Sequence, residues 1–320
     1  MKNGVIRIAT RTSELALRQA RIVESSLISR GHQTEIVTFK TTGDKKLNEP
    51  LSEIGAKGLF THELEVALEK EKVDCCVHSL KDLPTDLPDG LTIGAILERE
   101  DPRDAVVINA VTEAEDLASL PAGSRVGTSS LRRRAQLLAL RPDLEVAELR
   151  GNVPTRLQKV ETGKVHAAIL AAAGLIRLNA IQRIKQYLDA PEWLPAAGQG
   201  AIAVEIREDD EEIREILAPL DHEETSIAVR AERAFLAALE GGCQIPIGAL
   251  AASDESGTFT LHGFVSDVRG RDRVRGSVTV DRSTPEASGV SLASELRTRG
   301  ATSLLMDLRS ASQVIAPQPE

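Results

Sequence analysis

The 320-residue chain is 42% apolar and carries a net charge of −9, a balance that argues against nucleic acid as its general partner. No apolar run is long enough for a membrane span, and three cysteines cannot make a disulfide framework, so a cytoplasmic protein of two or three domains is expected. With five Phe, one Tyr and one Trp, the core has to be built from Leu, Ile, Val and Ala.

The opening "MKNGVIRIAT" runs straight into a strand, "VIRIA" (5–9), rather than reading as a signal peptide. "SELALRQARIVESSLISR" (13–30) has helical periodicity, with Thr12 or Ser13 as cap and Gly31 as stop. "TEIVTF" is a strand, "THELEVALEKEK" a helix capped by Thr61, and "DCCVHS" and "LTIGAIL" are strands. These elements make one α/β unit that ends near residue 100. "DPRDAVVI" starts a second unit, in which the strands "SRVGT" and "LEVAEL" lead to the helices "SLRRRAQLLAL" and "VPTRLQKVETG". "HAAILAAAGLIRL" adds a strand, a turn and more helix. The Pro/Gly-rich "APEWLPAAGQG" is a crossing, after which the strand "AIAVEI" is placed back in the first unit. The acidic run "REDDEEIREIL" reads as a solvated helix face. "HEETSIAVRAERAFLAALEGG" opens a third unit with a long helix. Period-two stretches "FTLHGFV" and "RVRGSVTV" and a helix around 286–299 complete an α+β pattern. The expected boundaries are 1–100 with 198–218, then 101–197, then 219–320.

Charge is unevenly placed. Residues 121–160 hold eight basic residues against three acidic ones, inside an acidic protein. There is also an internal echo: a strand runs into "TRTS" and a helix in the first unit, and into "GTSS" and a helix in the second. Each turn sets hydroxyls and backbone N–H groups at a helix N-terminus, a ready anion site, with Arg7, Arg11 and Arg18 near one and Arg132, Arg133 and Arg134 near the other. Arg150, at a strand end in "LRGNVPTR", and Arg156, in the next helix's first turn, join Arg11, Arg132 and Arg133 as cleft candidates. Guanidinium forks bind carboxylates two-pronged, so several arginines point to a ligand with several carboxylates. Arg134 and Arg141 read as surface residues. "VHSLKDLP" places His78, Ser79, Lys81 and Asp82 in a loop after a strand, either a site or a plain turn. Lys57 in "GAKGLF" is either a lid cation or a solvated lysine. Cys75, Cys76 and His78, with His62 nearby, match no common zinc spacing, and adjacent strand residues face opposite ways; buried cysteine is expected, and no metal. Cys243 in "EGGCQ" follows two glycines at a helix end, where a thiol can stand clear of the backbone or simply fill a small buried space.

"RIATRTSELAL", "GAKGLFTHELEVAL", "VHSLKDLP", "EREDPRDA", "GTSSLRRR", "LRGNVPTRL", "LAAAGLIRL", "LPAAGQGAIAVE" and "EGGCQIPIGA" resemble, in that order, the porphobilinogen deaminase (hydroxymethylbilane synthase) family, over about residues 5–250. The resemblance implies two periplasmic-binding-protein-like α/β domains around a cleft and a smaller α+β C-terminal domain carrying the cofactor cysteine. It implies a monomeric transferase that joins four porphobilinogen molecules head to tail, releasing ammonia, into hydroxymethylbilane on a dipyrromethane primer held to Cys243 by a thioether. In this likeness Asp82 and Lys81 are catalytic. Cys243, Asp82, Lys81, Ser79, Thr128, Ser129, Arg132, Arg133 and Arg150 hold the cofactor. Arg11, Ser13, Gln19, Arg150, Arg156, Arg177, Gln199 and Lys57 meet the substrate. Two departures stand out: His62 where many relatives carry lysine, and the Cys75-Cys76 pair where small or aliphatic residues are usual. The growing chain is a polyanion, which accounts for an arginine-rich cleft in an acidic molecule. The competing readings are a non-catalytic two-lobed binder of a polycarboxylate and a metal enzyme built on Cys75, Cys76, His78 and His62.

Overall fold

A computed structural model describes residues 4–45, 60–239 and 245–306. Strand β1 (Val5–Arg11) leads to helix α1 (Glu14–Ile28), capped by the Ser13 side chain. Then come β2 (Gln33–Phe39), the short α2 (Thr42–Lys45), α3 (His62–Glu69), β3 (Cys75–Ser79) and β4 (Leu91–Ile96). Next are β5 (Asp104–Ile108), β6 (Arg125–Gly127), α4 (Leu131–Leu140), β7 (Glu145–Ala147), α5 (Val153–Glu161), β8 (Ala167–Ala171), α6 (Ala172–Arg177) and β9 (Gln186–Leu188). The chain continues through β10 (Ile202–Arg207), α7 (Glu211–Leu217), α8 (Glu223–Ala238), β11 (Ile247–Ser253), β12 (Phe259–Ser266), β13 (Arg273–Thr279) and α9 (Pro285–Leu296).

The internal echo extends to topology. One sheet runs β2-β1-β3-β10-β4 and another β7-β6-β8-β5-β9. In each, three parallel strands are followed by one antiparallel strand and an edge strand. The antiparallel member is in both cases the strand that arrives from the other unit: β5 enters the second sheet from the first, and β10 returns. With β11-β12-β13 as a small antiparallel sheet under α8 and α9, this is the expected architecture of two α/β units and a smaller α+β unit.

Parallel strands covered on both faces read as continuous apolar runs, and here each face has its own core. Ile6, Ile8 and Cys75 pack with Val23 and Leu27 of α1, while Ala9 and Cys76 pack with Leu64 and Leu68 of α3. Adjacent cysteines therefore do face opposite sides. In the third unit Phe235, Leu261, Leu292 and Leu296 share one core.

Two helices stop earlier than their periodicity suggests. The helix expected over 61–72 ends at Glu69, because the Lys72 N–H bonds back to the Ala67 carbonyl and Glu71 takes a left-handed φ of 52°. Thr61 makes no side-chain cap there. The helix expected around 286–299 ends at Leu296; a π-helical turn, Arg297–Ala301, kinks at Gly300 (φ 108°) and leads into a further helical turn over 302–306.

The two crossings between units lie side by side. Leu97 N–H donates to Ile202 O at 3.0 Å and Glu100 N–H to Gly200 O at 3.2 Å. Gly200 has φ 92°, and a Cβ there would lie 2.3 Å from the Glu100 carbonyl oxygen, so only glycine fits. Glu232 of α8 ties the third unit to both crossings. Its carboxylate accepts from Arg99 Nη1 (2.6 Å), Gly198 N–H (2.7 Å) and Ala251 N–H (2.8 Å).

Candidate functional site

The strand ends of β1 and β3 and the starts of α1, α4, α5 and α6 meet at the cleft. Two pockets open there and share a wall made by Leu15, Gln19 and Ser79. The first is lined by Arg11, Ser13, Phe60, His78 and Asp82. The second is lined by Lys81, Arg133, Arg156 and Arg177, with Gly174 and Gly200.

In the first pocket the Arg11 guanidinium lies over the Phe60 ring, 4.3 Å from its centroid, a cation–π contact that directs a flexible side chain. Asp82 closes a turn of 3-10 helix that follows β3, so the strand end presents Ser79, Lys81 and Asp82 together. In the second pocket Arg177 Nη2 donates to the Gly200 carbonyl at 2.6 Å, and Arg156 Nε to the Gly151 carbonyl at 2.8 Å.

Among the described residues, positive charge gathers here around Asp82 and Asp104. Burial, reinforced by Arg133, pushes the Lys81 ammonium down to about 8, against the opposing pull of Asp82 and Asp104. Burial, with Arg133 and Arg150 beside it, brings the Arg156 guanidinium down to about 10. Among the described residues Arg150 Nη1 is buried with no hydrogen-bond partner. Such a cluster is stabilised by an incoming anion.

The structure separates the predicted residues into those at the cleft and those behind it. Arg11, Ser13, Gln19, Ser79, Lys81, Asp82, Arg133, Arg156 and Arg177 line the pockets. Ser13 also spends its oxygen capping α1, accepting from Ala16 N–H. Thr128 and Ser129 shape the turn before α4: Thr128 Oγ1 accepts from Ser130 N–H, and Ser129 Oγ from Leu149 N–H. Arg132 and Gln199 depart from expectation. Arg132 turns away from the pockets onto Asp104 (2.6 Å) and the Leu194 carbonyl. Gln199 is fully buried, with its amide spent on Pro102 O, Asp104 and Lys81. Arg7 and Arg18 are also elsewhere, paired with Asp74 and Glu14, and Arg141 ties down the carbonyls of Leu117, Ala118 and Leu120. Cys243 and Lys57 lie outside the described residues.

The residue most clearly missed is Asp104. Fully buried at the start of β5, it receives Arg132, Arg133, the Trp193 indole N–H at 2.7 Å and the Gln199 amide at 2.9 Å. Burial alone would push its carboxyl up, but the charges of Arg132 and Arg133 prevail and hold it well below the usual carboxylate range. The one available signal was an aspartate abutting the apolar run "AVVI" in "EREDPRDA", since a buried charge demands partners.

The proposed metal set does not converge. His62 is exposed on α3, and Cys75 faces the opposite side of the sheet from Cys76. Among the described residues Cys76, His78 and Glu205 gather within 4.8 Å of one another. Yet His78 Nε2 pairs with Glu205 Oε2 at 3.0 Å, and the Cys76 thiol donates to the Leu64 carbonyl, leaving Glu205 Oε1 without a partner. Burial pushes the Cys76 thiol well up and keeps it protonated, whereas a metal needs the thiolate.

Residues 6–215 match the family model described as porphobilinogen deaminase, dipyromethane cofactor binding domain, and residues 226–298 match the porphobilinogen deaminase C-terminal domain. A porphobilinogen deaminase of Moorella thermoacetica is 50% identical over 309 residues, 96% of this chain and 97% of that protein. The chain belongs to the porphobilinogen deaminase family. Porphobilinogen deaminase chemistry, transferase chemistry of tetrapyrrole biosynthesis with a dipyrromethane cofactor, therefore takes the place of the non-catalytic polycarboxylate binder as the reading of this cleft. Among solved structures, the methionine binding protein MetQ aligns over 70% of this chain and 92% of its own, with 13% identity and a TM-score of 0.44. The Bordetella pertussis BvgS periplasmic VFT2 domain aligns over 67% and 85%, with 16% identity and a TM-score of 0.41. No helix among the described residues of this porphobilinogen deaminase relative is long and apolar enough to cross a membrane.

Proposed function

We propose that this chain joins four porphobilinogen molecules head to tail into hydroxymethylbilane, releasing ammonia at each addition, on a dipyrromethane primer bound by a thioether to Cys243. The observation that carries this reading is the gathering of cations at the cleft: Lys81, Arg133, Arg156 and Arg177 in one pocket, and Arg11 with Asp82 in its neighbour.

The residues present fit dipyrromethane. Each pyrrole of the primer carries an acetate and a propionate; the cleft offers two cations, Lys81 and Arg156, whose charge burial disfavours, and near Arg156 lies Arg150, whose Nη1 is buried and without a hydrogen-bond partner among the described residues. Carboxylates placed there would satisfy the orphan donor and offset the mutual repulsion. When bound, dipyrromethane supplies the end to which monomers are added. Arg133, Arg150, Arg156 and Lys81 hold its carboxylates, and Ser79, Thr128 and Ser129 set the turns that present them. Arg11, oriented by Phe60, receives a carboxylate of the incoming monomer, with Ser13 and Gln19 beside it and Arg177 across the wall in the neighbouring pocket. Asp82 accepts pyrrole N–H bonds, stabilises positive charge as ammonia departs and takes the proton released when the new bond forms. Lys57 is assigned to the substrate as a further cation.

The working form is a cytoplasmic monomer. Its domains are 1–100 with 198–218, 101–197 and 219–320, the last carrying Cys243.

Intact-mass measurement tests the reading. The purified protein should exceed its polypeptide mass by one dipyrrole unit and colour with an aldehyde reagent for pyrroles. Cys243→Ser should lose the increment, the colour and turnover. A bare polypeptide mass with full turnover overturns it.

A further inference from the structure

Asp104 and Gln199 touch neither pocket, yet both are fully buried between the cleft and the crossings. The Gln199 amide has a forced orientation. Its Nε2 donates to Pro102 O at 2.7 Å and to Asp104 Oδ1 at 2.9 Å, so reversing the amide would set an oxygen against two oxygens. Oε1 is thereby aimed at donors, and it accepts from Lys81 Nζ at 3.2 Å and from Arg133 Nη2 at 3.5 Å. Asp104 Oδ1 also accepts from Arg133 Nε at 3.1 Å and Nη2 at 2.8 Å, which fixes the plane of that fork.

We propose that Asp104 and Gln199 form a positioning relay: the carboxylate sets the amide, and the amide sets the Lys81 ammonium beside Asp82. The relay joins three parts of the chain. Asp104 opens β5, the strand that enters the second unit. Gln199 lies on the returning crossing, and Lys81 on the loop after β3. The head of Lys81 is therefore placed where both crossings meet, and so is the Arg133 fork. This inference rests on the function proposed above, in which Lys81 serves bound carboxylates. Its own consequence is electrostatic. Lys81 is faced by Arg132 and Arg133 of α4, by Asp104 of β5 and by its neighbour Asp82, with Arg156 of α5 and Arg177 of α6 on the walls of the same pocket. Arg133 and Arg132 disfavour its charge, whereas Asp104 and Asp82 favour it. Removing the Asp104 charge lowers the pH at which Lys81 loses its proton, and so does removing the Gln199 oxygen, because an acceptor favours the ammonium.

The test is the pH profile of kcat/KM for porphobilinogen between pH 6.5 and 9.5, measured on protein first shown by mass to carry its dipyrrole unit. Absence of that unit from the wild type is failure of the proposed function and precedes this test. Asp104→Asn and Gln199→Leu should move the alkaline limb to lower pH by about one unit. Asp104→Glu should restore much of the shift, and Lys81→Arg should lack the limb. A purely structural role would lower the rate at every pH and leave the limb in place. If Asp104→Asn does not melt cooperatively, Gln199→Leu decides, since it leaves the pairs of Asp104 with Arg132 and Arg133 intact. An alkaline limb unmoved in Gln199→Leu, or retained in Lys81→Arg, overturns the proposal.

Discussion

Gln19 Nε2 donates to Ser79 Oγ at 2.8 Å, bridging the first helix to the end of β3 and dividing the cleft in two. The hydroxyl donates back to Gln19 Oε1 at 3.2 Å, so the pair holds its own geometry. On one side stands Arg11 with Asp82, on the other Lys81 with Arg133, Arg156 and Arg177. In the function proposed here, the Arg11 side meets the incoming monomer and the Lys81 side holds the bound chain. Gln19→Ala should keep its primer and raise KM for porphobilinogen by roughly tenfold, the value of about one to one and a half kcal/mol of lost hydrogen bonding. Steady-state kinetics together with intact mass check this, and an unchanged KM removes the wall's role.

Asp82→Asn keeps size and removes charge. Fold and primer should survive, while turnover falls by about two to four orders of magnitude, as expected for a group that stabilises developing charge and moves a proton. Single-turnover rates on primer-loaded protein measure the loss. Near-normal rates would reduce the loop to a turn.

The arginines should differ in the step they impair. Arg133→Leu should emerge largely without primer. Arg11→Leu should carry its primer but fail to add monomers. Each charge-assisted hydrogen bond is worth roughly 1.5–3 kcal/mol, so the affected step should slow by about tenfold to a few hundredfold. Lysine at either place should rescue only in part, because it loses the fork. Arg132→Leu acts through Asp104, which it leaves with one guanidinium fewer, so it should lower stability as well as primer loading. Counting pyrrole units by mass before and after porphobilinogen is added separates the cases. A primer-free Arg11→Leu beside a fully loaded Arg133→Leu reverses the assignment.

Lys81 also leaves a mark on stability without primer. Its folded value of about 8 lies below its ordinary 10.5. Below pH 8 both folded and unfolded chains hold the proton, and folding carries the full cost of a disfavoured ammonium. Between 8 and 10.5 the unfolded chain binds more protons, so stability rises with pH across that window. Lys81 should therefore add a positive contribution to the slope of denaturant stability of primer-free Cys243→Ser protein from pH 8 to 10.5, against the opposite contribution of the buried Cys75 and Cys76 thiols. That slope should diminish in the Cys243→Ser, Lys81→Met double variant. Equal slopes in the two proteins would contradict the buried ammonium.

Much of the architecture was legible in local pattern. Apolar runs alternating with helical periodicity specify α/β units because each element must bury one face, and Ser13, Ser130 and Asn152 sit at helix starts as caps should. The order of motif blocks pointed to the family, and the strand after "APEWLPAAGQG" does rejoin the first sheet beside β3 and β4. Tertiary structure decided what neighbouring side chains do. Arg132 and Arg133 are adjacent and chemically identical, yet one guanidinium points away from the cleft and the other lines it. Both reach Asp104, 28 residues from Arg132 in sequence and brought under α4 only when β5 inserts antiparallel beside β8; what parts them is the second contact, the Leu194 carbonyl for Arg132 and the Ile169 carbonyl and Gln199 amide for Arg133. Gln199 reads as a cleft residue in "AAGQGA", but the returning crossing buries it 95 residues from the carboxylate it serves. Periodicity and capping are local properties that one segment can encode. The partner of a buried charge depends on which distant surfaces are pressed together, and only the assembled units determine that.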